Sequence, residues 1–258
     1  MILDKIIEST ARCVDIQKRS RPYCSVRREA EARQKPPASF EDALSKRGMS
    51  FICEVKRASP SKGVICADFP YVKIAEEYRD AGADAVSVLT EPEFFEGKDE
   101  YLAEISAAIS LPALRKDFVI DEYQIFEARL LGASAVLLIC AVLDGAALSE
   151  YISAARSLKM SALVEARDER QIEKALKAGA KIIGVNNRDL TTFKVDTAVS
   201  VALRRLVPKD ILFVSESGVE TRSDIEILEQ NAVDGVLIGE TMMRAKDKTQ
   251  ALKALRGV

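Results

Sequence analysis

Ala81-Gly82-Ala83-Asp84-Ala85-Val86, Leu131-Gly132-Ala133-Ser134-Ala135-Val136 and Ala178-Gly179-Ala180-Lys181-Ile182-Ile183 are three renderings of one pattern. A looser fourth is Asn231-Ala232-Val233-Asp234-Gly235-Val236. Their second positions are 82, 132, 179 and 232, so the pattern recurs in steps of 50, 47 and 53 residues. Each copy closes a helical stretch with a small residue and then opens a short apolar run. That is the signature of a helix C-cap followed by a buried strand.

Four further apolar runs lie between the copies: Phe51–Lys56, Pro112–Lys116, Ser161–Glu165 and Ile211–Glu216. Interleaved, they give eight expected strands, starting near 51, 84, 112, 134, 161, 181, 211 and 234. Helical patterns separate them, as at Tyr71–Ala81, Glu122–Leu131 and Glu169–Ala178. Strands alternating with helices make a parallel sheet. The chain has 258 residues, and about 250 is typical of one closed eightfold barrel. An α/β fold of the (β/α)8 TIM-barrel type is therefore expected over 49–258, with an open doubly wound sheet as the alternative. Residues 1–48 form a helical extension, in which Leu3, Ile6, Ile7, Thr10 and Val14 share one helix face. A second helix is expected near Val26–Arg33 and a short turn at Phe40–Lys46. The extension could close the bottom of the barrel or cover its active face.

Composition narrows the chemistry. A net charge of −2 gives no electrostatic reason to expect nucleic acid. No apolar run reaches the roughly 18 residues a membrane span needs. Asp4, Lys5 and Glu8 interrupt any secretory leader. Cys13, Cys24, Cys53, Cys66 and Cys140 are scattered and odd in number, as expected of reduced thiols in a cytoplasmic protein. There is no histidine, which removes the commonest general base and the usual zinc ligands. Acid–base work falls to Lys, Glu, Asp, Tyr or Cys.

In such barrels the chemistry lies at the C-terminal ends of the strands. Here those ends carry Glu54 and Lys56, Lys116, Glu165, Asn186, Asn187 and Arg188, and Glu216. Buried charge is costly unless paired or used, so this ring is either a site or an ion-pair network closing the barrel. The loop Arg57–Asp68 is about twice the usual length for a βα connection, which suits a binding loop or a tolerated insertion. Ser217-Gly218 follows the seventh strand, and Gly239-Glu240 joins the eighth to a short helix. Both are where barrel enzymes often hold phosphate, on glycine backbone and helix N-termini.

These residues together resemble the indole-3-glycerol phosphate synthase family. The likeness runs through Phe51–Gly63, with Glu54-Val-Lys56 and Ser59-Pro60-Ser61, then Leu89–Gly97 and Leu114-Arg-Lys116-Asp-Phe118. It continues through Leu163-Val-Glu165, Gly184–Leu190, Ser215–Gly218 and Ile238-Gly239-Glu240, so it covers nearly the whole chain. The resemblance implies ring closure of 1-(2-carboxyphenylamino)-1-deoxyribulose 5-phosphate, with loss of carbon dioxide and water, in tryptophan biosynthesis. It implies no cofactor and no metal, a phosphorylated small-molecule substrate, and a monofunctional chain; a monomer is expected. Carried over, Lys116 is the general acid and Glu165 the base, while Lys56 contacts anionic groups and is a candidate second acid. Glu54, Asn186, Arg188 and Glu216 orient these groups and the substrate. Phe95, Phe118, Leu137 and Leu190 form the apolar pocket, and Ser59, Ser217, Gly218, Gly239 and Glu240 hold the phosphate end. Arg167 departs from the pattern, since the family often has His or Asn there; by strand period it faces the same way as Glu165, a cation beside that carboxylate. Two rivals stand: another phosphate-binding barrel enzyme of the same pathway, which would lack the Glu-x-Lys and Lys-Asp-Phe pair, and a non-catalytic barrel subunit, which would have lost its strand-end charges.

Overall fold

Eight short apolar runs become eight parallel strands. They are β1 (Ser50–Val55), β2 (Ala85–Leu89), β3 (Ala113–Lys116), β4 (Ala135–Ile139), β5 (Ser161–Ala166), β6 (Ile182–Asn186), β7 (Leu212–Glu216) and β8 (Gly235–Ile238). Each pairs with the next in sequence, and β1 pairs with β8 through Ser50 opposite Gly235, which closes the barrel. The open-sheet alternative is thereby excluded. The computed structural model describes residues 2–189 and 193–258.

Side chains alternate along each strand between two packed layers. Ile52, Ala85, Leu114, Leu137, Leu163 and Val214 fill the barrel interior. Cys53, Val86, Val136, Val164 and Phe213 face out, against the surrounding helices. Those helices are α4 (Tyr71–Ala81), α5 (Asp99–Ala108), α6 (Glu122–Leu131), α7 (Gly145–Ser157), α8 (Glu169–Lys177), α9 (Ala198–Arg204), α10 (Arg222–Gln230), α11 (Glu240–Arg244) and α12 (Lys248–Arg256). Asp121, Asp144, Asp168, Thr221 and Asp247 start α6, α7, α8, α10 and α12 by accepting a first-turn backbone N–H.

The repeat has a conformational cause. Gly82, Gly132 and Gly179 have φ of 90°, 91° and 87°, the left-handed turn that ends a helix and redirects the chain into the next strand. In the fourth copy Ala232 is held at φ 57° in the same role.

The N-terminal extension divides between the two ends of the barrel. The short helix α3 (Phe40–Leu44) plugs the bottom: Phe40 and Leu44 join the interior cluster, and Ser50 Oγ donates to the Ala43 carbonyl at 3.2 Å. The long helix α1 (Ile2–Ser20) lies across the opposite, C-terminal face. There Ser9 donates to Glu93, Gln17 to Asp99 at 3.2 Å, and Lys18 to Asp121 at 2.5 Å. Between them α2 (Tyr23–Glu31) packs on α6, slightly earlier than its apolar residues suggest. Arg129 of α6 holds the following linker by donating to the carbonyls of Arg33 and Lys35.

Candidate active site

The C-terminal ends of the strands open into a cavity of about 730 Å3. Strand parity brings Glu54 from β1, Lys116 from β3, Glu165 from β5, Asn186 from β6 and Glu216 from β7 into it, and Lys56 joins them from just past the end of β1. Glu54, Glu165 and Glu216 are buried, at 5%, 3% and 1% exposure, so none of these charges is a solvated surface group. Lys56 Nζ donates to Glu54 Oε1 at 2.5 Å. Lys116 Nζ lies 3.8 Å from Glu165 Oε2 and 3.5 Å from Glu216 Oε2. Asn186 Nδ2 donates to the same Glu165 oxygen at 3.2 Å.

The electrostatics follow from these distances. Burial pushes the Glu54 carboxyl up, but the Lys56 and Lys116 ammoniums outweigh it and hold the group below the ordinary glutamate value. Burial alone would lower Lys116; Glu216, Glu165 and Glu54 overcome it and raise the ammonium above the ordinary lysine value. Glu216 is pushed up to about 7, first by burial and then by Glu165 and Glu54, against the pull of Lys116. Among the described residues neither Glu216 oxygen has a hydrogen-bonding partner, and Lys116 pairs with it at 3.5 Å.

One end of the cavity is apolar. Phe95 and Phe118 stand with ring centroids 6.1 Å apart, beside Leu137, Ile139, Ile2 and Ile6. Buried Glu91 shapes the loop that carries Phe95 by accepting from the backbone N–H of Phe94 at 2.7 Å and of Phe95 at 3.0 Å. The other end is backbone. Ser217 and Gly218 lie there with φ of 67° and 86°. Gly239 starts α11; a Cβ on it would fall 2.5 Å from Glu54 Oε1 and 2.9 Å from Lys56 Nζ. A side chain here would force the Glu54–Lys56 ion pair to shift, so glycine leaves the pair undisturbed. The Glu240 carboxylate turns to Arg244 Nε at 3.0 Å and Lys62 Nζ at 3.6 Å.

Ser59 lines the cavity from the long loop, which forms an antiparallel pair of two-residue strands, Ala58–Ser59 and Gly63–Val64. Arg188 also lines it, donating its backbone N–H to Asn186 Oδ1 at 3.0 Å. Leu190 lies outside the described residues. Arg167 needs correction. Its guanidinium pairs with Asp189 at 3.1 Å, while the Glu165 carboxylate has Asn186 at 3.2 Å and Lys116 at 3.8 Å. Ile2, Ile6 and Ile139 were not among the expected site residues. The apolar face of α1 signalled Ile6 as buried, but not against what.

The sequence model of the family described as indole-3-glycerol phosphate synthase matches residues 3–255. The chain belongs to the indole-3-glycerol phosphate synthase family. It is 54% identical to the indole-3-glycerol phosphate synthase of Endomicrobium trichonymphae, over 99% of this chain and 100% of that protein. It is 53% identical to the one from Ruminiclostridium cellulolyticum, over 100% of this chain and 99% of that protein. Among solved structures, 3-hexulose-6-phosphate synthase from Salmonella typhimurium superposes with a TM-score of 0.67 at 13% identity, covering 81% of this chain and 97% of that one. That likeness concerns the fold alone. Membership of the indole-3-glycerol phosphate synthase family makes the chain a decarboxylating lyase of tryptophan biosynthesis. The two rival readings fall with it, and the strand-end charges converge on one cavity.

Proposed function

We propose that this mouth closes the pyrrole ring of 1-(2-carboxyphenylamino)-1-deoxyribulose 5-phosphate, with Lys116 as the acid and Glu165 as the base. The observation that carries the assignment is the Lys116 ammonium, 3.8 Å from Glu165 and 3.5 Å from Glu216, in a cavity with an apolar end and a backbone-lined end. The aromatic ring fits between Phe95, Phe118 and Leu137. The phosphate fits the backbone of Ser217, Gly218 and Gly239, with Ser59 and Glu240 at its edge.

In the first step the ring carbon that bears the carboxylate attacks the ketone carbon. The carbonyl electron pair moves onto oxygen, which takes a proton from Lys116. Three buried carboxylates keep that ammonium charged at neutral pH, so a proton is present to give. Carbon dioxide then leaves with its bonding pair returned to the ring. The new hydroxyl leaves as water with a proton from a lysine, for which Lys56 is the second candidate. Glu165 removes the proton from the carbon beside nitrogen, giving indole-3-glycerol phosphate. Electron count balances throughout, so no oxidant or reductant is needed. Glu54, Asn186, Arg188 and Glu216 hold these groups in place. A monomer is the state we propose, and a phosphorylated metabolite as substrate fits a cytoplasmic setting.

Purified protein given this substrate should develop the absorbance and fluorescence of an indole. Lys116→Met keeps much of the aliphatic stem and removes the donor. Its kcat should fall by about 10²–10⁴-fold, the usual worth of general acid catalysis. KM should change far less, because the donor acts mainly in the transition state. A variant retaining more than about a tenth of kcat would remove Lys116 from the acid role.

A further inference from the structure

We propose that Asn187 is a positioning residue that aims the Gly218 backbone N–H into the phosphate end of the cavity; the inference rests on the phosphate reading above. Asn187 follows the last residue of β6 and is 3% exposed, with Ser200 of α9 and Ser215 of β7 at 0%. The three side chains close a ring of hydrogen bonds. Asn187 Nδ2 donates to Ser215 Oγ at 3.0 Å, Ser215 Oγ to Ser200 Oγ at 2.9 Å, and Ser200 Oγ to Asn187 Oδ1 at 2.7 Å.

The ring fixes which way the amide faces. Ser200 backbone N–H, which can only donate, points at one Asn187 terminal atom at 3.1 Å, so that atom is the oxygen. The nitrogen therefore faces the Ser217 carbonyl, to which it donates at 2.9 Å. In a trans peptide the carbonyl and the following N–H point in opposite directions, and the described chain has no cis peptide bond. With the Ser217 carbonyl drawn toward buried Asn187, the Gly218 N–H is turned the other way, toward the cavity that Ser217, Gly218 and Val219 line. The same hold keeps Ser217, a residue with a side chain, in the left-handed region at φ 67°. Asn187 touches no reacting atom in this account; it acts through the peptide it orients.

The test compares the phosphorylated substrate with its dephosphorylated counterpart, and adds inorganic phosphate as a competitive inhibitor. A hydrogen bond to a charged group is worth about tenfold or more in affinity. Asn187→Ala should raise KM for the phosphorylated substrate, and the inhibition constant of inorganic phosphate, by about that factor. Saturated kcat and the efficiency on the dephosphorylated substrate should change by less than about twofold to threefold. Ser200→Ala keeps the asparagine and one of its two oxygen partners, so it should move the same constants in the same direction by less. It carries the test alone if Asn187→Ala fails to fold. Equal losses on both substrates would mean a merely structural role and overturn the proposal, as would unchanged phosphate constants in a folded variant. If the native enzyme itself shows no preference for the phosphorylated substrate, the phosphate reading fails first. If it shows one and Ser200→Ala and Asn187→Ala keep it in full, only the role of Asn187 fails.

Discussion

Glu54 and Glu216 are buried in the same mouth, yet their carboxyls are pushed in opposite directions. The difference is distance to a cation: Glu54 has Lys56 at 2.5 Å, whereas Glu216 has Lys116 at 3.5 Å and shares it with Glu165. The consequence is a pH-dependent stability. Glu216 keeps its proton up to about pH 7 in the folded protein, against an ordinary value of 4.5. Between these values the folded state binds more protons than the unfolded one, so stability falls as pH rises through the window and the loss is complete above it. A shift of this size corresponds to on the order of 3 kcal/mol. Glu216→Gln removes the titration. Urea unfolding at pH 5 and pH 8 should therefore show the native protein losing stability toward pH 8 relative to the variant. Parallel behaviour of the two proteins across that window would mean that Glu216 titrates like an ordinary carboxylate.

At the scale of elements, the repeat that revealed the barrel is one backbone requirement met four times. Glycine meets it at 82, 132 and 179, and Ala232 meets it with a Cβ at φ 57°. A left-handed L-residue costs roughly 1–2 kcal/mol, offset in part by the greater entropy that glycine loses on folding. Ala232 is exposed, so Ala232→Gly disturbs no packing. It should stabilise the protein by up to about 1 kcal/mol, read as a higher urea midpoint with an unchanged slope. A lower midpoint would show that the turn is not strained. This requirement is also why the elements were legible. The helices at Tyr71–Ala81 and Glu122–Leu131 have the bounds their patterns indicate, because in both the apolar face ends at a glycine stop, and in the second Asp121 also caps the start. The two-residue strands at Ala58–Ser59 and Gly63–Val64 were not legible, being too short to carry a period. The Asn187–Ser200–Ser215 ring was not either: its members are 13 and 15 residues apart, and only the closing of the barrel brings them together.

The whole molecule separates stability from chemistry along the barrel axis. The charged residues were legible as a candidate site because strand ends that ought to be apolar carried Glu and Lys. The position of the extension was not, because an amphipathic helix states that it buries a face and leaves open which surface receives it. The structure puts α1 over the charged mouth and α3 under the apolar floor, so the extension serves both ends. That asymmetry can be tested with one residue from each. Leu44 is 1% exposed, belongs to the interior cluster, and stands about one van der Waals contact from the Gly235 position at the start of β8. Leu44→Ala deletes buried methyl groups and leaves a cavity, a change that costs about 2–5 kcal/mol. It touches nothing at the C-terminal face. At a temperature where the variant remains folded, its kcat and KM should stay within about twofold of native values, since no interaction with the transition state has been removed. Lys116→Met should abolish most turnover. Its stability in urea should fall as well, by up to about 3–5 kcal/mol, because removing one partner of a buried pair leaves the Glu165 and Glu216 carboxylates without their shared cation. Both variants are measured by urea unfolding and steady-state kinetics side by side. A Leu44→Ala enzyme that loses turnover in proportion to stability, while still folded, would show that the floor and the mouth are mechanically one unit and that the separation along the axis does not hold.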